Sequence, residues 1–202
     1  MALHRELETY YSDPGGSVVT ASAPMSGPYD MSGTELADIL SPRCPPNPYY
    51  AAYVLMAYQS VYSLAPAFSN LVVAPYCKTI PPLFNGNTSG GTINAAMPAC
   101  GMSTILTPGT RFAVTNDPNC GLVEALSDND LYRWTPIAPM HIYYCGGDKD
   151  VLPNNALVTY SNFVWRGATN VQLIESSATA DHSGCVLPSV FSAVGWFTGF
   201  TP

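Results

Sequence analysis

The sequence predicts an α/β fold built on a mainly parallel, doubly wound sheet, and three observations lead there. The last third of the chain alternates strand-like and helix-like stretches. Two polar turns fall just past the predicted strand ends, Cys145-Gly146-Gly147-Asp148-Lys149-Asp150-Val151 and Asp181-His182-Ser183-Gly184, where open parallel sheets place their chemistry. The composition, 47% hydrophobic and 10% charged over 202 residues, suffices for a substantial core and excludes a disordered chain or a coiled coil.

Each element has a local reason. Met1 to Thr9 follows a helical pattern, with Leu3, Leu7, Tyr10 and Tyr11 recurring at helical spacing and Arg5, Glu6 and Glu8 on other faces. A turn at Asp13-Pro14-Gly15-Gly16 leads to the β-branched run Val18 to Ala21, which ends in a loop over Pro24 to Asp30. Residues 1–35 form the first block. From Leu36 to Tyr132 prolines punctuate short apolar segments, predicting a mostly helical insertion, residues 36–132, that caps the active site. Its best helix, Tyr50 to Leu64, repeats Tyr50, Tyr53, Val54, Ala57, Tyr58, Val61 and Tyr62 at three- and four-residue steps, either to wall an apolar pocket or to pack the insertion.

Residues 133–202 form the third block. Met140 to Cys145 is a near-continuous apolar run, expected for a parallel strand buried on both faces. Asn154 to Trp165 reads as a helix and Val171 to Glu175 as a short strand. Cys185 to Phe200 reads as a closing helix with Val190, Phe191, Val194 and Phe197 on its inner face. Strand, helix, strand, helix implies parallel crossovers.

The order acid then histidine matches the second half of a serine hydrolase triad, in which a carboxylate holds an imidazole in one tautomer and stabilises its charged form. His182 sits in a small polar turn suited to aiming a ring, whereas His4 on the opening helix and His141 inside the apolar strand are expected to be structural. Asp148 and Asp150 both compete for the acid position. No G-x-S-x-G occurs in the chain, so no nucleophile elbow is present in it.

Met1 to Thr9 resembles the helix that follows the elbow, G-Y-S-Q-G-G, in bacterial secreted α/β-hydrolases of the lipase/esterase type. Val19-Thr20-Ala21-Ser22-Ala23-Pro24-Met25-Ser26-Gly27-Pro28-Tyr29-Asp30 resembles the strand and loop that come next. Pro81-Pro82-Leu83-Phe84-Asn85-Gly86, Asn94-Ala95-Ala96-Met97-Pro98 and Asn129-Asp130-Leu131-Tyr132-Arg133-Trp134-Thr135-Pro136 are similar to later stretches in the same order. The resemblance implies a partial α/β-hydrolase fold with a helical cap insertion, a catalytic serine upstream of Met1, and a signal peptide further upstream for a secreted or periplasmic protein. It also implies a small-molecule or lipid ester substrate and no cofactor or metal. In that family the acid stands in D-x-x-V with an Asn seven residues on. Val151 and Asn155 hold those offsets from Asp148, while Pro153, one place late, leaves Asp150 as the alternative acid.

Six cysteines without C-x-x-C or Cys/His spacing argue for disulfides and export rather than zinc. Cys145 ends the acid strand and Cys185 lies three residues past His182, so the two approach if the triad forms; the alternative is a pair of small buried thiols. A formal charge of −7 with seven basic residues gives no basic stripe for nucleic acid, and no run of about 18 apolar residues exists to span a bilayer. Without a nucleophile these residues alone are expected to be inactive. The rival expectation is a non-catalytic module derived from the same fold, which binds an apolar ligand or a partner.

Overall fold

In the computed structural model the described residues are 1–11 and 19–200. The expected turn at residues 13–16 and the start of the Val18 run lie outside them. Helices follow the chain as α1 (Ala2–Tyr10), α2 (Leu36–Leu40), α3 (Tyr49–Tyr62), α4 (Phe68–Leu71), α5 (Tyr76–Thr79), α6 (Gly90–Ala95), α7 (Pro108–Asn116) and α8 (Gly121–Asp128). Strand β1 (Met140–Cys145), helix α9 (Asn154–Trp165), strand β2 (Val171–Ser177) and helix α10 (Val186–Phe197) complete the order. The chain divides into two compact units, residues 1–35 with 129–202 and residues 36–128.

In the first unit β1 and β2 pair in parallel, Met140 opposite Val171 through Tyr144 opposite Glu175. On the other side of β1, residues 22–25 make parallel bridges, Ser22 to Met140 and Met25 to Tyr143. β1 is therefore the central strand, paired on both edges, and its apolar run is spent on two buried faces: Met140, Ile142, Tyr143 and Cys145 are all fully buried. Met140 and Ile142 pack with Tyr29, Ala156, Phe163 and Val171 on one face. His141 stacks on Trp196 of α10 on the other, centroids 3.7 Å apart. Helices on both faces of a parallel sheet make this part of a doubly wound fold.

The helices meet the sheet through smaller and more polar residues than apolar spacing predicts. On α1 the buried residue is His4, not Leu3, which is exposed. His4 Nδ1 lies 2.7 Å from Ser22 Oγ, and Glu8 one turn later accepts the N–H groups of Ile137 and Ala138 at 2.9 and 2.8 Å just before β1. On α10 the expected inner face is corrected likewise. Cys185, Ser189 and Ala193, four residues apart, take the seat because Ser189 donates to Ser176 Oγ at 2.8 Å and Cys185 is covalently bound to Cys145. Val190, Phe191, Val194 and Phe197 point away, and Phe191 is 72% exposed. Small residues let helix and sheet backbones approach closely, and polar bonds settle the rotation about the helix axis.

Loops before and after β1 are fixed by a buried polar network. Asp130 accepts the N–H and hydroxyl of Ser32 at 3.0 and 2.7 Å and pairs with Arg133 at 2.8 Å. Asn155, buried at the start of α9, accepts the Asp30 N–H at 3.1 Å and donates to the carbonyl of Leu152 and to Glu35. Asp30 in turn accepts both the N–H and the hydroxyl of Thr34 at 2.8 and 2.7 Å. Buried polar groups are tolerated only when bonded in this way.

The second unit is helical, joined by an antiparallel bridge between Val72 and Leu106 and a disulfide from Cys44 to Cys100. Cys77 and Cys120 are unbridged. α3 buries Ala52 and Leu55 and leaves Tyr53 and Val61 exposed, so its tyrosine repeat is not the buried stripe. Crowding decides this: the small Ala52 allows close packing that a tyrosine at that point would prevent. α6 begins at Gly90 because Ser89 caps it by accepting the Thr92 N–H.

Replacing Asn155 by Leu should destabilise the protein by ~2–3 kcal/mol, since it strands the buried Asp30 N–H and removes the side-chain bond to Glu35. Urea unfolding would register it as a lower midpoint, and a midpoint equal to wild type would remove Asn155 from the network.

Candidate active site

Two neighbouring parallel strands end side by side, and a functional group follows each. β1 ends at Cys145 and reaches Asp148 three residues later; β2 ends at Ser177 and reaches His182. His182 Nδ1 lies 2.7 Å from Asp148 Oδ2. The other carboxylate oxygen, Oδ1, accepts the backbone N–H groups of Asp150 and Val151, both at 3.0 Å. Asp148 is 3% exposed, and the His182 side chain is 28% exposed. A buried acid held on one oxygen by its own turn and on the other by an imidazole is a rigid orienting group with one open-facing partner.

The electrostatics follow from that contact. The hydrogen bond to Asp148 raises the His182 pKa above its usual value, burial opposes it in part, and the negative charges of Asp148, Asp150 and Asp181 add to the rise. An Nδ1–H bonded to a carboxylate fixes the tautomer, so the neutral ring carries its lone pair on Nε2. A ring in that state can take a proton through Nε2 and hold it while Asp148 stabilises the cation.

Of the two candidate acids, Asp148 meets the imidazole. Asp150 contributes its backbone N–H to the acid turn and its charge to the field around His182. The remaining histidines are occupied elsewhere. His4 sits against Ser22 and Trp134, and His141 is stacked on Trp196 with its pKa lowered by burial. Cys145 and Cys185 form a disulfide across the two loops, Cα atoms 5.8 Å apart. A crevice beside Asp148, bordered by Gly27, Val151 and Pro153, is too small for a substrate. Among the described residues no group of three or more His, Cys, Asp or Glu side chains has the disposition of a metal site, and no helix is long and apolar enough to cross a membrane.

Sequence reasoning missed the glycines that precede the acid. Gly146 donates its N–H to the Ser177 carbonyl at 2.8 Å, which links the acid loop to the end of β2. A Gly-Gly pair directly after a buried strand was the available signal, since glycine there marks close backbone approach.

A parallel sheet flanked by helices, with an acid and a histidine at its carboxyl ends, is part of an α/β-hydrolase fold. Solved structures of that kind are similar to it over nearly its whole length. The rice cell wall degrading esterase LipA from Xanthomonas oryzae, in a ligand-bound form, superposes with a TM-score of 0.82 at 22% identity, over 96% of this chain and 53% of that one. A protein from Legionella pneumophila described as a hydrolase gives a TM-score of 0.82 at 26% identity, over 97% and 51%. This chain thus spans about half the length of the structures it resembles, and the likeness establishes the fold. No protein-family model and no curated protein matches the sequence.

Asp148→Asn should lower the His182 pKa, read from the ring proton shifts in an NMR titration. The raised pKa also sets a pH window for stability. The pair's contribution is fully present below the unfolded value, about 6.5, and is lost as pH rises through the higher folded value. The stability difference between wild type and His182→Gln should therefore shrink from pH 6 towards pH 9, and a constant difference would contradict an ion pair.

Proposed function

We propose that Asp148 and His182 are the acid and the general base of a serine-type ester hydrolase, whose nucleophile is a serine preceding Met1 in a longer form of the protein. The observation that carries this is the 2.7 Å contact between a buried carboxylate and a partly exposed imidazole at the ends of adjacent parallel strands. The length and fold of the similar structures support an additional sheet-forming segment.

In the proposed reaction the serine Oγ attacks the ester carbonyl as His182 Nε2 takes its proton, and Asp148 stabilises the imidazolium. His182 then gives the proton to the departing alcohol, leaving an acyl-enzyme, and activates water for its hydrolysis. Backbone N–H groups before and just after the serine would form the oxyanion hole, so residues 1–202 alone would not turn over esters. The substrate would be a small-molecule or lipid ester with an apolar acyl part. The disulfide of the helical unit and that of the first unit fit an oxidising compartment, consistent with export.

A second reading rests on the absence of G-x-S-x-G from the chain: a hydrolase-derived module that binds an apolar ligand without catalysis. The coding sequence upstream of Met1 separates the two. An in-frame apolar strand and elbow serine supports the enzyme, and an in-frame stop supports the binding module.

In the serine-bearing form, Asp148→Asn should lower kcat by about 10⁴-fold and His182→Ala by at least as much, with KM little changed. The acidic limb of the kcat/KM profile should lie above pH 6.5 in wild type and move down in Asp148→Asn. Ester turnover indifferent to His182→Ala would remove the proposed base.

A further inference from the structure

The two loops that carry Asp148 and His182 touch through bare backbone. A Cβ on Gly147 would lie 2.3 Å from the carbonyl oxygen of Thr179 and 2.8 Å from that of Ala180; one on Gly146 would lie 2.7 Å from the carbonyl oxygen of Ala178. These neighbours are main-chain atoms that cannot swing aside. Neither glycine adopts a positive φ, so the residue type is set by contact and not by conformation. Any side chain at 147 would force the acid loop and the base loop apart.

A disulfide opposes such a separation, and a bulge sets where the base loop departs. The Cys145–Cys185 disulfide joins the loops at points three residues before Asp148 and three residues after His182. The pairing register also slips at the strand ends: Tyr144 faces Glu175 but Cys145 faces Ser177, so Ser176 is the extra residue. That residue accepts the Ser189 hydroxyl of α10. A bulge at this point re-aims the chain after β2, which is where the base loop departs.

We propose that Gly147, seated on the Thr179–Ala180 backbone and tied from the other side by the Cys145–Cys185 bridge, is a positioning residue that fixes the separation of Asp148 and His182. Glycine sets how closely the loops approach, and the disulfide stops them from drifting apart. The consequence for turnover rests on the ester hydrolase reading; the consequence for the imidazole does not.

The test uses the 202-residue chain and reads His182 directly by NMR, through its pKa and its Nδ1 proton resonance. Gly147→Ala should move the pKa down towards about 6.5 and weaken or abolish the low-field Nδ1 signal. Cys145→Ala/Cys185→Ala should shift both in the same direction. Gly109→Ala, where a Cβ meets nothing within 4 Å, should leave both unchanged. The charges that face the ring, from Asp148, Asp150 and Asp181, are the same in every variant. A folded Gly147→Ala protein with an unaltered His182 titration and Nδ1 proton overturns the proposal. Should that variant not fold, the cysteine variant decides. Should neither fold, stepwise reduction of wild type decides, read while its far-UV circular dichroism is unchanged, and an unaltered His182 overturns the proposal there too.

The serine-bearing form supplies a separate readout. Gly147→Ala should lower kcat about 10²-fold at constant KM, the cost of misplacing a catalytic group by about an ångström. A shifted His182 in the short chain together with no ester turnover in the long one would keep the positioning role and discard the hydrolase reading.

Discussion

Everything in the first unit is referred to β1. It is paired in parallel on both edges and buried on both faces, so its residues have no alternative register or exposure. A one-residue slip would exchange Met140 and Ile142 with His141 and Tyr143, setting polar rings against the Phe163 cluster. Because the strand cannot slide, its end is a fixed point in space. Asp148 inherits that position within three residues, too short a span for the acid loop to wander.

Holding an acid and a base together requires the second strand to end at the same level. Parallel pairing does this without any loop having to cross the sheet. Antiparallel neighbours would have sent the base loop to the opposite end of the sheet. The network of Asp130, Asp30 and Asn155 then secures the segments flanking the sheet by bonding backbone N–H groups to buried side chains. Those bonds are directional, whereas apolar packing alone would allow the loops to shift.

The core strands were legible because a doubly buried parallel strand leaves an unbroken apolar run, and Met140 to Cys145 is one. Asp148 and His182 were legible because each follows a strand end in a polar turn. Helix faces were not. Apolar period marks a stripe suited to burial, but the seat on a sheet goes to whichever residues allow close approach and make bonds, here His4, Ser189 and Ala193. The Asp130 network was also hidden, since its members are distant in sequence and Ser32 or Thr34 looks like any loop residue. The choice between Asp148 and Asp150 needed coordinates as well, because two residues of chain separate the group that meets the ring from the one whose N–H supports it.

Each disulfide closes within a single unit, Cys44 to Cys100 in one and Cys145 to Cys185 in the other. The chain leaves the first unit at Glu35 and returns at Asn129, and both ends are stapled there by the bonds between Ser32 and Asp130 and between Leu131 and Tyr29. Seen from the strand framework, residues 36–128 are an insert between two anchored posts with no covalent tie to anything but its own ends. Closing a longer or shorter segment between two anchored posts costs little, because the entropy of closure grows only slowly with length, so the strand framework that holds the acid and base makes little demand on how long that segment is.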